Sequence, residues 1–136
     1  MIAIEVQHYL GRARDFLRGM ELLQDDLSEY KSSSALLGIH GAISCCDALR
    51  AGLGSKRVSS DNHHRAAREL RLLLATRRFE NPQGVDRLEK LLSKKTTIAY
   101  SSESASGGEI KDIVLQARRF AFWAEETGTK LKIEGW

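Results

Sequence analysis

His63 and His64 stand side by side, just after Lys56-Arg57 and directly ahead of Arg65, Arg68 and Arg71. Imidazole is the side chain whose ordinary pKa lies nearest neutrality, which makes it the first candidate for moving a proton. At a helix start the positive end of the macrodipole disfavours the protonated ring and can hold His64 as a neutral base. Arg65 and Arg68 are one helical step apart and could grip a phosphate. A histidine beside arginines is the minimum set for cleaving RNA at its 2′-hydroxyl. With His63 or His64 as base and Arg57, Arg65 and Arg68 among the cations, that chemistry needs no metal. The plainer reading makes the histidines half-buried capping residues and the arginines a solvated face.

Other chemistries are excluded by what the chain lacks. Adjacent helical residues point about 100° apart, so the histidine pair alone cannot chelate one ion. No H-E-x-x-H pattern or Cys/His ligand spacing occurs, and no metal site or cofactor is expected. There is no phosphate-binding loop, nucleophile elbow or dinucleotide fingerprint. Cys45 and Cys46 are neighbours without a third cysteine to pair with, and neighbouring cysteines seldom satisfy disulfide geometry. They read as small apolar residues of a buried helix in a reducing compartment.

The groups that could act on a substrate are concentrated in one third of the chain. Residues 50–95 hold 12 basic and 5 acidic side chains, a net of +7, whereas the other residues hold 9 and 13, a net of −4. Such a surface attracts polyanions even on a nearly neutral protein. With 136 residues, 42% of them apolar, and Pro82 as its one proline, the chain has the size and composition of one self-sufficient domain. No apolar run approaches a membrane span, and the expected setting is cytoplasmic.

Helices must position these residues. Val6, Leu10, Ala13, Phe16, Leu17, Met20, Leu23 and Leu27 recur at three- and four-residue steps and predict a helix over residues 4–27. Ser32, Ser33 and Ser34 are candidate N-caps for a second helix running to about Leu53, with Ile39, Ala42, Ile43, Cys46 and Leu49 inward and Gly54 beyond its end. Gly38, Gly41, Ala42, Cys45 and Ala48 make one side of it small, which predicts a closely packed neighbour within the fold or across a dimer interface. Asp61 is the expected N-cap of a third helix that buries Ala67, Leu70, Leu73 and Leu74. After Asn81-Pro82-Gln83-Gly84, a fourth helix starts at about Val85 and frays before Ser101. Residues 101–108 read as the most flexible segment, and a fifth helix over 109–127 stops at Gly128. No βαβ alternation appears, so the prediction is an all-α, up-and-down bundle of four to five helices. Residues 1–128 form the domain and 129–136 a short tail.

The order of these parts resembles the HEPN domains, small helical bundles of prokaryotes often encoded beside minimal nucleotidyltransferases. The likeness spans about residues 8–127. "SALLGIHGAISCCDALRAGLG" is similar to the family's second helix with its D-A-L-like end. "SSDNHHRAARELRLLL" resembles the Ser-x-His opening of its third, with His63 or His64 at the histidine position. "LEKLLSKKTTIAYSSE" is similar to the segment that closes on a basic residue and D-Y, here Lys95 and Tyr100. "GEIKDIVLQARRFAFWAEE" resembles the final helix, with Ala117 ahead of Phe120.

The ribonuclease members carry R-x4-6-H in the fourth-helix segment, where this chain has Lys94 and Lys95 and no histidine. An R-x5-H spacing does occur at Arg57 to His63, ahead of the third helix. The resemblance therefore implies a homodimeric module, without catalysis of its own, acting with a nucleotidyltransferase-type partner in a toxin–antitoxin or defence setting. Metal-independent RNA cleavage by His63 or His64 is the alternative. RNA binding without chemistry by Arg57, Arg65, Arg68, Arg71, Lys94 and Lys95 is a third reading. In the family, the tyrosine at the position of Tyr100 can accept a transferred nucleotide, which implies the same modification here.

Overall fold

The computed structural model describes residues 2–24, 27–56, 58, 62–100 and 106–136, apart from the side chains of 27–31 and 100. They form five helices: α1 (Ile2–Gln24), α2 (Leu27–Gly52), α3 (His63–Thr76), α4 (Gly84–Tyr100) and α5 (Gly107–Lys130). No strand occurs among the described residues, and the expected all-α bundle is what forms.

α2 is the central helix and packs against all four others. Its composition explains how it can. A Cβ on Gly38 would sit 2.7 Å from Met20 Sδ and 3.1 Å from Ala117 Cβ, and one on Gly41 would sit 2.7 Å from Leu17 Cγ. The small face predicted from the sequence thus receives α1 and α5 of the same chain. Around it lie Val6, Leu10, Ala13 and Met20 from α1, Ala67, Leu70 and Leu74 from α3, and Leu88, Leu91 and Leu92 from α4. α5 adds Ile110, Val114, Ala117, Phe120 and Trp123. The Trp123 ring lies 5.4 Å from Phe120 and its Nε1 donates to the Asn81 carbonyl at 2.9 Å, satisfying the indole N–H in the core. Phe16, Leu17, Leu23 and Leu73, expected inward, are half-buried.

Helix directions follow from the contacts. Ser34 and Gly38 meet Met20 while Gly41 meets Leu17, so α1 and α2 are antiparallel. Arg14 reaches Glu125 and Arg118 reaches Glu21, so α1 and α5 are antiparallel as well. Gly84 abuts Trp123, and Lys94 shares a pocket with Asp112 and Gln116, which sets α4 antiparallel to α5. α1, α2, α4 and α5 therefore alternate in direction, with α3 laid against α2 and α4.

Several boundaries differ from the sequence reading. α1 ends at Gln24, and Leu27 opens α2. Ser32–Ser34 lie inside α2 and cap nothing; Ser34 is buried and its hydroxyl donates across the helix pair to the Met20 carbonyl at 3.1 Å. Asn62, rather than Asp61, caps α3: its extended backbone (φ −95°, ψ 92°) lets Oδ1 accept from the Arg65 amide at 3.0 Å. Asp61 itself lies outside the described residues. α4 starts one residue early, at Gly84. Of the expected flexible stretch, 101–105 lies outside the described residues, whereas Ser106 is the N-cap of α5 and Gly107 and Gly108 are its first turn. Gly128 does not stop α5. It is buried within the helix because the Trp136 ring occupies its Cβ position, 2.2 Å away, and the helix runs on to Lys130. The final residues fold back: Ile133 packs over Gly52, and Trp136 Nε1 donates to Glu125 Oε2 at 2.9 Å.

Candidate functional site

α3 carries the residues singled out for chemistry. His63, its first residue, is half-buried, and His64 is exposed. Their separation around the helix is the 100° that adjacency imposes. His64 and Arg68 are four residues apart on one exposed flank, and Arg65 is exposed beside them. Arg71, on the same flank, is engaged: it pairs with Asp86 and with Glu89, at 3.2 Å, both on α4. The hydrogen bonds it donates to Glu89 and Asp86 raise its pKa further. Its charge is therefore met locally, as a clip between α3 and α4.

The other predicted cations do not converge on α3. Arg57 and the Tyr100 side chain lie outside the described residues. Lys94 is exposed and lines a groove between α4 and α5. Lys95, half-buried, faces toward His40 of α2, whose pKa is lowered first by burial and then by the Lys95 charge. The expected nucleic-acid set thus divides over three faces of the bundle.

A second charged group, marked by no motif, joins α2 to α3. The Arg50 side chain is only 4% exposed. Its Nε donates to Glu69 Oε1 at 2.9 Å and its Nη1 to Asp47 Oδ1 at 3.0 Å and to the Val58 carbonyl at 2.9 Å. Asp47 is largely buried, and burial pushes its carboxyl up to about 6 although Arg50 and Arg12 oppose the shift. Burial also raises the Tyr9 phenol, and the Asp47 charge adds to it. Arg12 lies 5.8 Å from the Tyr9 ring centre and its Nη2 is 3.0 Å from His8 Nε2. The sequence signal was Asp47-Ala-Leu-Arg50, a charged i,i+3 pair on an otherwise apolar helix. By its geometry this cluster is a clamp: one guanidinium holds α2, α3 and the connection between them.

Cys45 and Cys46 are buried and unpaired. Burial pushes the Cys45 thiol up to about 12 and Cys46 well above its usual value, so both remain protonated and unreactive. Among the described residues no group of three or more His, Cys, Asp or Glu side chains could hold a metal ion.

Between α4 and α5 lies a groove lined by cations. Lys90 and Lys94 stand on one wall and Asp112 and Gln116 on the other, around a pocket of about 310 Å³ over Leu91 and Ile113. Toward the start of α4 a second, shallower pocket between the same helices is lined by Arg87 and by Arg118, Arg119, Phe122 and Glu126 of α5. Phe79, the aromatic of the basic region, is half-buried against Trp123, whereas Phe122 is 68% exposed.

No protein-family model matches the chain, and no significant match to a curated protein was found. No helix among the described residues is long and apolar enough to cross a membrane.

Proposed function

We propose that the chain is a HEPN-like binding module that acts with a protein partner of nucleotidyltransferase type, in a toxin–antitoxin or defence setting, and carries out no chemistry itself. One observation supports this reading most. Arg50 with Asp47 and Glu69, and Arg71 with Asp86 and Glu89, hold helices to one another. Several surface cations, among them Arg65, Arg68, Arg87, Lys90, Lys94 and Arg119, form no ion pair among the described residues and remain for an external anionic surface. The test is twofold. The chain coexpressed with the product of its neighbouring gene copurifies as a stoichiometric complex, and the purified chain leaves a fluorescent RNA intact without metal at low salt. RNA cleavage that disappears on His63→Ala or His64→Ala refutes the proposal. Intact mass of the coexpressed chain checks the accompanying idea that Tyr100 accepts a nucleotide, which an unmodified Tyr100 rejects.

A second reading rests on His64 and Arg68, exposed together on one flank of α3. If the chain binds RNA there without cutting it, affinity falls steeply with salt as phosphate counterions are released. Salt-insensitive binding counts against it. The small face of α2, which suggested self-association, is filled by α1 and α5, so sedimentation of the purified chain decides between monomer and homodimer.

A further inference from the structure

We infer that the α4–α5 groove is the docking site for an acidic amphipathic helix of a protein partner. The inference rests on the reading of the chain as a partner-binding module and names the surface and the chemistry of the partner. Two edges of the groove carry it. On α4, Arg87, Lys90 and Lys94 are spaced i, i+3, i+7, so all three follow one line along the helix. On α5, Phe122 is 68% exposed and lines the groove beside Arg119. A basic edge along α4 and the exposed Phe122 ring across from it, flanking a trough between antiparallel helices, match a third helix laid along them.

The chemistry of the occupant follows from both edges together. Carboxylates at i, i+3 or i+4, and i+7 meet the three cations of α4. Apolar side chains on the adjoining face meet Phe122. The pocket of about 310 Å³ between Lys90, Lys94 and Gln116 has room for one Leu or Phe side chain over Leu91 and Ile113. An RNA strand would use the cations, but Phe122 is the one exposed aromatic described beside the groove, so successive bases have no run of rings to stack on. Asp112 and Glu126 on the α5 wall also repel a uniform polyanion more than they repel a segment whose charge lies on one side.

The test uses the full chain and two fluorescein-labelled, alanine-based 16-residue peptides of identical composition. One places glutamates on one flank of a helix and leucines on the adjoining face; the other is scrambled. The amphipathic peptide binds at least tenfold more tightly than the scrambled one. K90E/K94E and Phe122→Ala each weaken it at least fivefold, while R18E/K130E, an equal charge change on exposed residues elsewhere, leaves it within twofold. Unchanged helicity by circular dichroism shows that the variants fold. Equal affinity for both peptides, or no effect of the groove substitutions, overturns the docking site. A 16-nucleotide RNA that binds more tightly than the peptide and is weakened by K90E/K94E overturns it in favour of nucleic acid. RNA cleavage by the chain refutes the partner-module reading, and because that assay is separate, either failure is recognised by itself.

Discussion

Asp47 is a carboxyl whose environment strongly alters its chemistry. A carboxyl held at about 6 when folded and at 3.8 when free binds its proton more tightly in the native state. Its contribution is therefore fully present below the unfolded value and is lost as pH rises through about 6. The difference is about 2 pKa units, or about 3 kcal/mol. Urea denaturation of the chain and of Asp47→Asn at pH 4 and pH 6.5 measures it. The native chain loses about 2–3 kcal/mol relative to the variant over that interval, and parallel pH profiles would show that Asp47 does not titrate as described. Glu69 shifts the other way: burial raises its carboxyl, but the hydrogen bond and charge of Arg50 help to bring it below its usual value. The wild-type profile alone mixes both signs, which is why the comparison with Asp47→Asn is the informative one. Sequence patterns revealed His63 and His64 because their types are rare and chemically distinctive. Arg50 was hidden, since nothing in Asp47-Ala-Leu-Arg50 tells whether an arginine reaches water or Glu69, 19 residues away.

The helix ends show how backbone hydrogen bonds override residue preference. α2, α3 and α5 all close with the same pair of bonds. In α3 these run from Phe79 to the Leu74 carbonyl and from Arg78 to the Ala75 carbonyl. The motif places the residue after the cap at positive φ. At the end of α2 that residue is Gly54, φ 94°, as its sequence position suggested. In α3 and α5 it is Arg78 and Lys132, both at φ 52°, a conformation that costs a residue with a Cβ roughly 1 kcal/mol. Arg78→Gly and Lys132→Gly each raise stability by about 0.5–1 kcal/mol in thermal unfolding; a loss of stability would show that the side chains hold these turns. The same reasoning explains the misplaced end of α5. Glycine signals a stop only when it supplies a positive φ, and Gly128 instead supplies room for Trp136.

Across the molecule, α1 and α5 are joined over α2 by exposed ion pairs. Arg14–Glu125 is 3.3 Å long, and Arg118 grips Glu21 with two bonds of 2.5 and 2.8 Å and also reaches Gln24. The pairs are seven residues apart on both helices, which is the repeat at which two antiparallel helices face each other twice. Hydrogen bonding to Arg118 lowers the Glu21 carboxyl, against the effect of burial. Exposed pairs of this kind contribute about 0.3–1 kcal/mol. A double-mutant cycle of Glu21→Gln and Arg118→Gln finds that coupling at low ionic strength and its loss in 1 M NaCl, where screening acts within about 3 Å. A coupling that survives high salt would mean that packing of the long side chains joins these helices. Stability of the bundle resides in the core around α2, and the ion pairs fix the register of its outer helices.

Helix number, the inward residues of α2 and the clustering of positive charge were determined by the sequence, because a 3.6-residue repeat writes burial directly into residue order. The small face of α2 was equally legible, but its neighbour was not: that α1 and α5 fill it depends on contacts between residues such as Gly38 and Ala117, far apart in the chain. Only the tertiary structure decided which cations are spent. Arg50 and Arg71 lie in the same basic stretch as Arg68 and Lys94, yet the first two meet carboxylates of neighbouring helices and the last two face outward. Charge adds up along a sequence, whereas pairing and desolvation depend on distances that exist only once the helices have packed.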